Sequence, residues 1–162
     1  MELNSPDPRA LTVGRISAVI FSVIIGIVAL VASSVFVITR WRFDAVSALV
    51  VIGSLIIPAL LLWLGYVWCN WEFRASFWRL DPEGFEIRKG VFWRHRISVP
   101  LARVQHVDVS QGPLQRRFGL ATLTIHTAGT GNASVIFEGL DHQEAMGLKD
   151  RLVAQKEAID VV

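Results

Sequence analysis

The sequence predicts an α+β membrane protein: an N-terminal hairpin of two transmembrane helices, then an antiparallel β domain closed by a C-terminal helix. Three observations carry this. Two long uncharged apolar stretches fill most of the first 70 residues, short partly alternating runs take over from Glu72, and an amphipathic segment follows the last of these runs.

The apolar stretches set the class. Of the 162 residues 52% are hydrophobic, and the mean hydropathy is +0.47, too apolar for an ordinary soluble domain. Residues 16–38 hold no charge, and residues 45–71 hold none either, with one polar amide, Asn70, near the end. A helix rises about 1.5 Å per residue, so roughly 20 apolar residues cross a bilayer. Both stretches qualify. A cleaved signal peptide is the alternative for the first, but its apolar region is shorter, roughly 7–15 residues. Here the run is longer and continues into Arg40-Trp41-Arg42. The expected organisation is a loose polar tail over residues 1–15, the hairpin over 16–71, the β domain over 72–157 and a short tail over 158–162.

The link of residues 39–44 is short, so the two helices are antiparallel neighbours and both chain ends lie on one side. Arg40 and Arg42 face Asp44 on the link, whereas Arg9, Arg15, Arg74 and Arg79 flank the other ends. That asymmetry favours cytoplasmic termini and a cytoplasmic β domain. Arg15, Arg40, Trp41, Arg42, Trp68 and Trp71 are the expected membrane-interface residues, since indole rings and long cationic side chains settle at headgroup level. Pro58 removes a backbone hydrogen bond within the second helix and is expected to kink it. Ser22, Gly26, Ser33, Gly53 and Ser54 are small enough to let the helices approach closely.

In the β domain, strands are expected at about 72–80, 85–89, 92–98, 104–110, 120–127 and 133–137. Asp81-Pro82-Glu83-Gly84 is a turn, Gly90 suits a tight hairpin, and Gly129-Thr130-Gly131-Asn132 turns a third. Pro113 to Arg117 suits one helical turn. Along residues 120–127, Ala121, Leu123 and Ile125 share one face of a half-buried strand. The final helix is expected over about 141–155, capped by Asp141 with Glu144 three residues on, and burying Ala145, Leu148 and Leu152.

This order of strands followed by a closing helix resembles a pleckstrin-homology (PH) roll. The run Leu80-Asp81-Pro82-Glu83-Gly84-Phe85-Glu86-Ile87-Arg88-Lys89-Gly90-Val91, then Val99-Pro100-Leu101-Ala102-Arg103-Val104-Gln105-His106-Val107-Asp108-Val109 and Ser110-Gln111-Gly112-Pro113-Leu114-Gln115-Arg116-Arg117-Phe118-Gly119-Leu120, resembles the bacterial PH domain of the YdbS-like membrane proteins. The resemblance covers roughly residues 78–152, and two membrane helices in front are the family's arrangement. It implies a bacterial inner-membrane, multi-pass protein with a cytoplasmic PH-like domain. It also implies a non-enzymatic binding or assembly module with related PH-domain membrane proteins, or copies of itself, as partners. Phosphoinositide-binding relatives carry cations between their first two strands. The same loop here is acidic, so that pocket does not carry over.

The candidate contact residues are basic. Arg88, Lys89, Arg94, His95 and Arg96 flank Phe92 and Trp93 on one hairpin, and juxtamembrane cations contribute about 1 kcal/mol each near anionic lipid. This hairpin either senses anionic headgroups or is simply solvated, with Trp93 buried in the core. Arg103, Arg116 and Arg117 form a second group that pairs with local acids or with a partner subunit. His106, Asp108 and His126 fall on adjacent strands, where a surface histidine pair is the ordinary reading. No metal, cofactor, small-molecule substrate or nucleic acid is expected. Nor is catalysis: the chain has no phosphate-binding glycine loop and no nucleophile motif. The single cysteine, Cys69, excludes an intrachain disulfide.

Overall fold

A computed structural model describes residues 3–40, 44–128 and 134–160, with the side chains of 157–160 left aside. The chain divides into two compact units, the hairpin Gly14–Cys69 and a domain built from the residues on both sides of it.

The hairpin unit contains most of α1 (Arg9–Arg40) and α2 (Ala45–Ala75). Its seam is built from small residues. Gly14, Ala18, Ser22 and Gly26 recur every four residues along α1, the spacing that keeps them on one face. A methyl group on Gly65 would lie 3.0 Å from Ala18 Cβ, and one on Gly26 would lie 3.5 Å from Pro58 Cβ. Ser22 Oγ donates to the Pro58 carbonyl at 2.6 Å, and Ser33 Oγ reaches Ser54 Oγ at 3.5 Å. Ser22, Ser33 and Ser54 are buried, as their size suggested; Gly53 instead meets nothing within 4 Å and lies off the seam. Asp44 caps α2 by accepting from the Ser47 N–H and hydroxyl. Only 11% of the apolar window of each helix is buried, whereas the core helix of a soluble protein buries most of its length. Such surface belongs in lipid.

The second unit holds two three-stranded antiparallel sheets, β1-β2-β3 and β4-β5-β6. The strands are β1 (Phe77–Asp81), β2 (Gly84–Lys89), β3 (His95–Pro100), β4 (Val104–Ser110), β5 (Leu120–Thr127) and β6 (Ser134–Asp141). A short helix α3 (Pro113–Arg117) joins β4 to β5, and α4 (His142–Asp160) ends the fold. Inward residues such as Phe85, Ile87, Leu123, Ile125 and Phe137 form one core between the sheets, and Ala145, Leu148 and Leu152 of α4 complete it. Asp141 Oδ1 accepts from the Gln143 and Glu144 N–H groups, capping α4 as the sequence suggested.

Three boundaries differ from expectation. Residues 72–75 continue α2 rather than opening a strand, because nothing after Trp71 breaks a helix and Glu72 and Arg74 favour one. Ser76 then stops it, its hydroxyl donating to the Glu72 carbonyl at 2.8 Å. β3 begins at His95 rather than 92, since the chain needs residues 90–94 to turn. β6 runs on to Asp141 by absorbing a register shift opposite Ala121–Leu123, with Gly139 at φ +80°. The turn expected at Gly129–Asn132 lies outside the described residues.

The N-terminal segment differs most. It was expected to be loose, yet Asn4 forms an antiparallel bridge with Trp78 on the outer edge of β1, exchanging two 2.9 Å backbone bonds. Three residues later the Asp7 N–H donates to the Gly139 carbonyl on β6 at 2.8 Å. The segment therefore ties an edge of one sheet to an edge of the other. Arg9 fastens it, contacting Asp7 at 2.8 Å, Asp141 at 2.9 Å and the Phe118 carbonyl at 3.3 Å. A methyl group on Gly139 would lie 2.8 Å from Ala10 Cβ, so only glycine admits this approach.

Candidate functional site

The β2–β3 hairpin separates its residues by alternation. Phe85 and Ile87 point into the core opposite Val99 and Ile97, which places Glu86 and Arg88 on the outer face beside Ser98 and Arg96. On the other flank β1 places Arg79 directly opposite Glu86. Three guanidinium groups thus converge on one carboxylate. Glu86 accepts from Arg88 at 2.8 Å, from Arg96 at 2.5 and 3.2 Å, and from Arg79 at 2.9 Å. Its side chain is only 7% exposed. The bonds from Arg96 and then Arg88 outweigh the cost of desolvation and hold the Glu86 pKa down at about 2. Arg79 also pairs with Asp81 at 2.7 Å.

Arg88 and Arg96, expected as free lipid-facing cations, therefore have a local partner that neutralises much of their charge. Sequence reasoning passed over Glu86. The signal was present, since a lone carboxylate two residues before Arg88 on the same strand face must neighbour it.

Beyond this network the chain turns at Gly90, whose φ is +117°; a Cβ there would lie 1.9 Å from the Trp93 carbonyl oxygen. The turn leaves Phe92 72% and Trp93 83% exposed, so Trp93 is not a core residue. Phe92 meets the edge of the Trp71 ring at a centroid distance of 6.2 Å. Beside the tip lies an open cavity of about 600 Å³ lined by Trp71, Arg74, Arg88, Lys89, Arg94 and Arg96, among others. Lys89 Nζ reaches the Ile136 carbonyl at 3.4 Å. Among the described residues neither Lys89 nor Arg94 pairs with a carboxylate.

The remaining candidates lie elsewhere. Arg103 sits in the 3₁₀ turn after β3 and is exposed, as are Arg116 and Arg117 on α3; none lines the cavity. In the hairpin unit, the Arg15 guanidinium lies 4.5 Å from the Tyr66 ring centroid. Arg40 pairs with Asp44 at 3.7 Å and covers the Phe36 ring. Trp68 and Trp71 are about half exposed. Trp41 and Arg42 lie outside the described residues.

On the outer face of the second sheet, His106 and His126 are cross-strand partners whose rings stack at 4.1 Å, with Asp108 beside them.

Comparison with known proteins agrees with this architecture. The family model for the bacterial PH domain matches residues 9–156. The chain is 32% identical over 154 residues to UPF0699 transmembrane protein YdbS of Bacillus subtilis (strain 168), covering 92% of this chain and 89% of that protein. It is 27% identical over 105 residues to UPF0699 transmembrane protein YdbT of the same strain, covering 64% of this chain and 21% of that one. Among solved structures, that of the Spt16D Pob3N heterodimer aligns with a TM-score of 0.39 at 10% identity, over 51% of this chain and 80% of that chain.

Proposed function

This chain belongs to the bacterial PH-domain family of YdbS-like membrane proteins, and from that premise we propose that it is a membrane-anchored, non-enzymatic PH-like binding and assembly module. It works within a homo- or hetero-oligomer of the bacterial inner membrane. In this reading it crosses the membrane twice and keeps its termini and PH-like domain in the cytoplasm. The return to one side is supported by the membership of the domain unit, which takes residues from before α1 and after α2.

The observation that carries the binding role is the tip of the β2–β3 hairpin. Two adjacent large aromatic side chains, Phe92 and Trp93, stand mostly in solvent on a turn held by Gly90. Exposed aromatic clusters of this kind mark surfaces that meet a partner. The cavity beside it is lined by cations, apolar groups and the His95 imidazole, a surface suited to binding an anionic or aromatic group.

A second reading takes the tip as a sensor of anionic headgroups. Lys89 and Arg94 favour it, since no carboxylate neutralises them among the described residues. One experiment separates the two: a photoreactive amino acid replaces Trp93 in the full chain, and native membranes are irradiated. The assembly reading predicts discrete protein adducts, either with a second copy or with another membrane protein. Lipid adducts that Lys89→Ser and Arg94→Ser weaken by about fivefold each, at roughly 1 kcal/mol per cation, and that high salt suppresses support the sensor instead. Absence of any adduct contradicts both.

A further inference from the structure

The geometry points to a divalent transition-metal site on the outer face of the second sheet, formed by His106, Asp108 and His126. An irregularity in β4 creates it. Val104 lies opposite Thr127, and a strictly regular antiparallel ladder would then place His106 opposite Ile125, a core residue. A register shift between Val104 and His106 moves the pairing by one, so that His106 meets His126 and Asp108 meets Thr124. Bulges of this kind re-aim side chains. Here the effect is to turn His106 and Asp108 outward together, while Val107 and Ile125 stay in the core.

The shift gathers three metal-binding side chains at one place. His126 Nε2 lies 3.2 Å and His106 Nε2 3.6 Å from the same oxygen, Asp108 Oδ2. The three donors all fall within 4.8 Å of one another. With bonds of about 2.0–2.1 Å, tetrahedral donors are separated by about 3.4 Å. Two edges of the triangle already bracket that length; the two rings, stacked with their planes 15° apart, must swing out of that stack to aim both nitrogens at one ion. Asp108 and His106 are well exposed and His126 is 31% exposed, so the rings have room to tilt and an ion can reach them. Two imidazoles and one carboxylate suit zinc, copper or nickel better than calcium or magnesium, and three protein ligands leave at least one position for water. Bound there, the ion clips β4 to β5.

The alternative is that the imidazoles merely contact a carboxylate. Titrating zinc chloride into the chelator-treated full chain in detergent decides. The site predicts saturable binding of one ion per chain and a rise in thermal midpoint on loading. His106→Ala, His126→Ala and Asp108→Asn should each weaken binding by at least about tenfold. Substituting the other two histidines, His95→Ala and His142→Ala, should leave it unchanged. Copper(II) added to the wild-type chain should show two coordinated imidazole nitrogens by electron paramagnetic resonance, a readout that no variant's folding can obscure. No saturable zinc binding, fewer than two nitrogens on copper, or affinity indifferent to the three substitutions would overturn the assignment.

Discussion

Phe85→Ala is expected to destabilise the PH-like domain by about 3–5 kcal/mol, the range for emptying an aromatic site in a packed core. Phe85 has no exposed surface, stacks on Trp78 at 5.9 Å, and sits between Leu80 and Val99 in the register of the first sheet. No neighbour is placed to fill the void, because the strands on both sides are held by their ladders. For a domain of this size each kcal/mol moves the thermal midpoint by about 4–8 °C, so the loss should exceed about 10 °C. Near-ultraviolet circular dichroism of the full chain in detergent follows it. Phe92→Ala removes the same side chain from the exposed hairpin tip, where it loses the contact with the Trp71 ring, and should cost only about 0.5–1.5 kcal/mol. Equal losses at the two positions would contradict this core.

Glu86→Gln should produce the second large effect, and an unusual dependence on acid. The folded-state pKa of Glu86 is lowered from 4.5 to about 2, chiefly by its bonds from Arg96 and Arg88. A lowered carboxylate pKa means that the ionised form stabilises the fold. That contribution is complete above pH 4.5 and disappears as the pH falls toward about 2. At about pH 7 the amide leaves Arg79, Arg88 and Arg96 crowded on one face without the carboxylate that joins them, and the thermal midpoint should fall by several degrees. Near pH 2 about half of the wild-type Glu86 is protonated and most of its contribution is gone, so the two midpoints should draw together. Other carboxylates titrate in both proteins, and the difference between the two isolates Glu86. A gap of constant size across that window would remove Glu86 from the account.

How much of this was visible in the sequence depends on the range of the interactions. The membrane hairpin and the stripe Ala145, Leu148 and Leu152 were legible, because charge-free length and helical spacing are local properties. So were the turns at residues 81–84 and 90, which glycine and proline set by themselves. The N-terminal segment was not. Its bond partners, Trp78 and Gly139, lie more than 70 residues away, and nothing in Asn4 announces an edge strand. One local cue was available: Asp7 accepts from the Arg9 N–H, so Asp7-Pro8 is a helix start before α1. The candidate site was half legible. Counting Arg88 and Arg96 as free cations treated the hairpin as a list of charges, whereas cross-strand register assigns both to Glu86. The convergence of His106 with His126 likewise depends on a bulge that alternation alone does not disclose.

The proposed arrangement is a two-helix anchor in the bilayer that returns both flanks to the cytoplasmic face. Single cysteines placed at Asp44 and at Lys149, in a Cys69→Ser background, test it with a membrane-impermeant maleimide applied to intact cells. The account predicts labelling at residue 44 from outside, and at residue 149 only after the membrane is opened. Labelling of residue 149 in intact cells, or recovery of the chain in the soluble fraction without detergent, would contradict it.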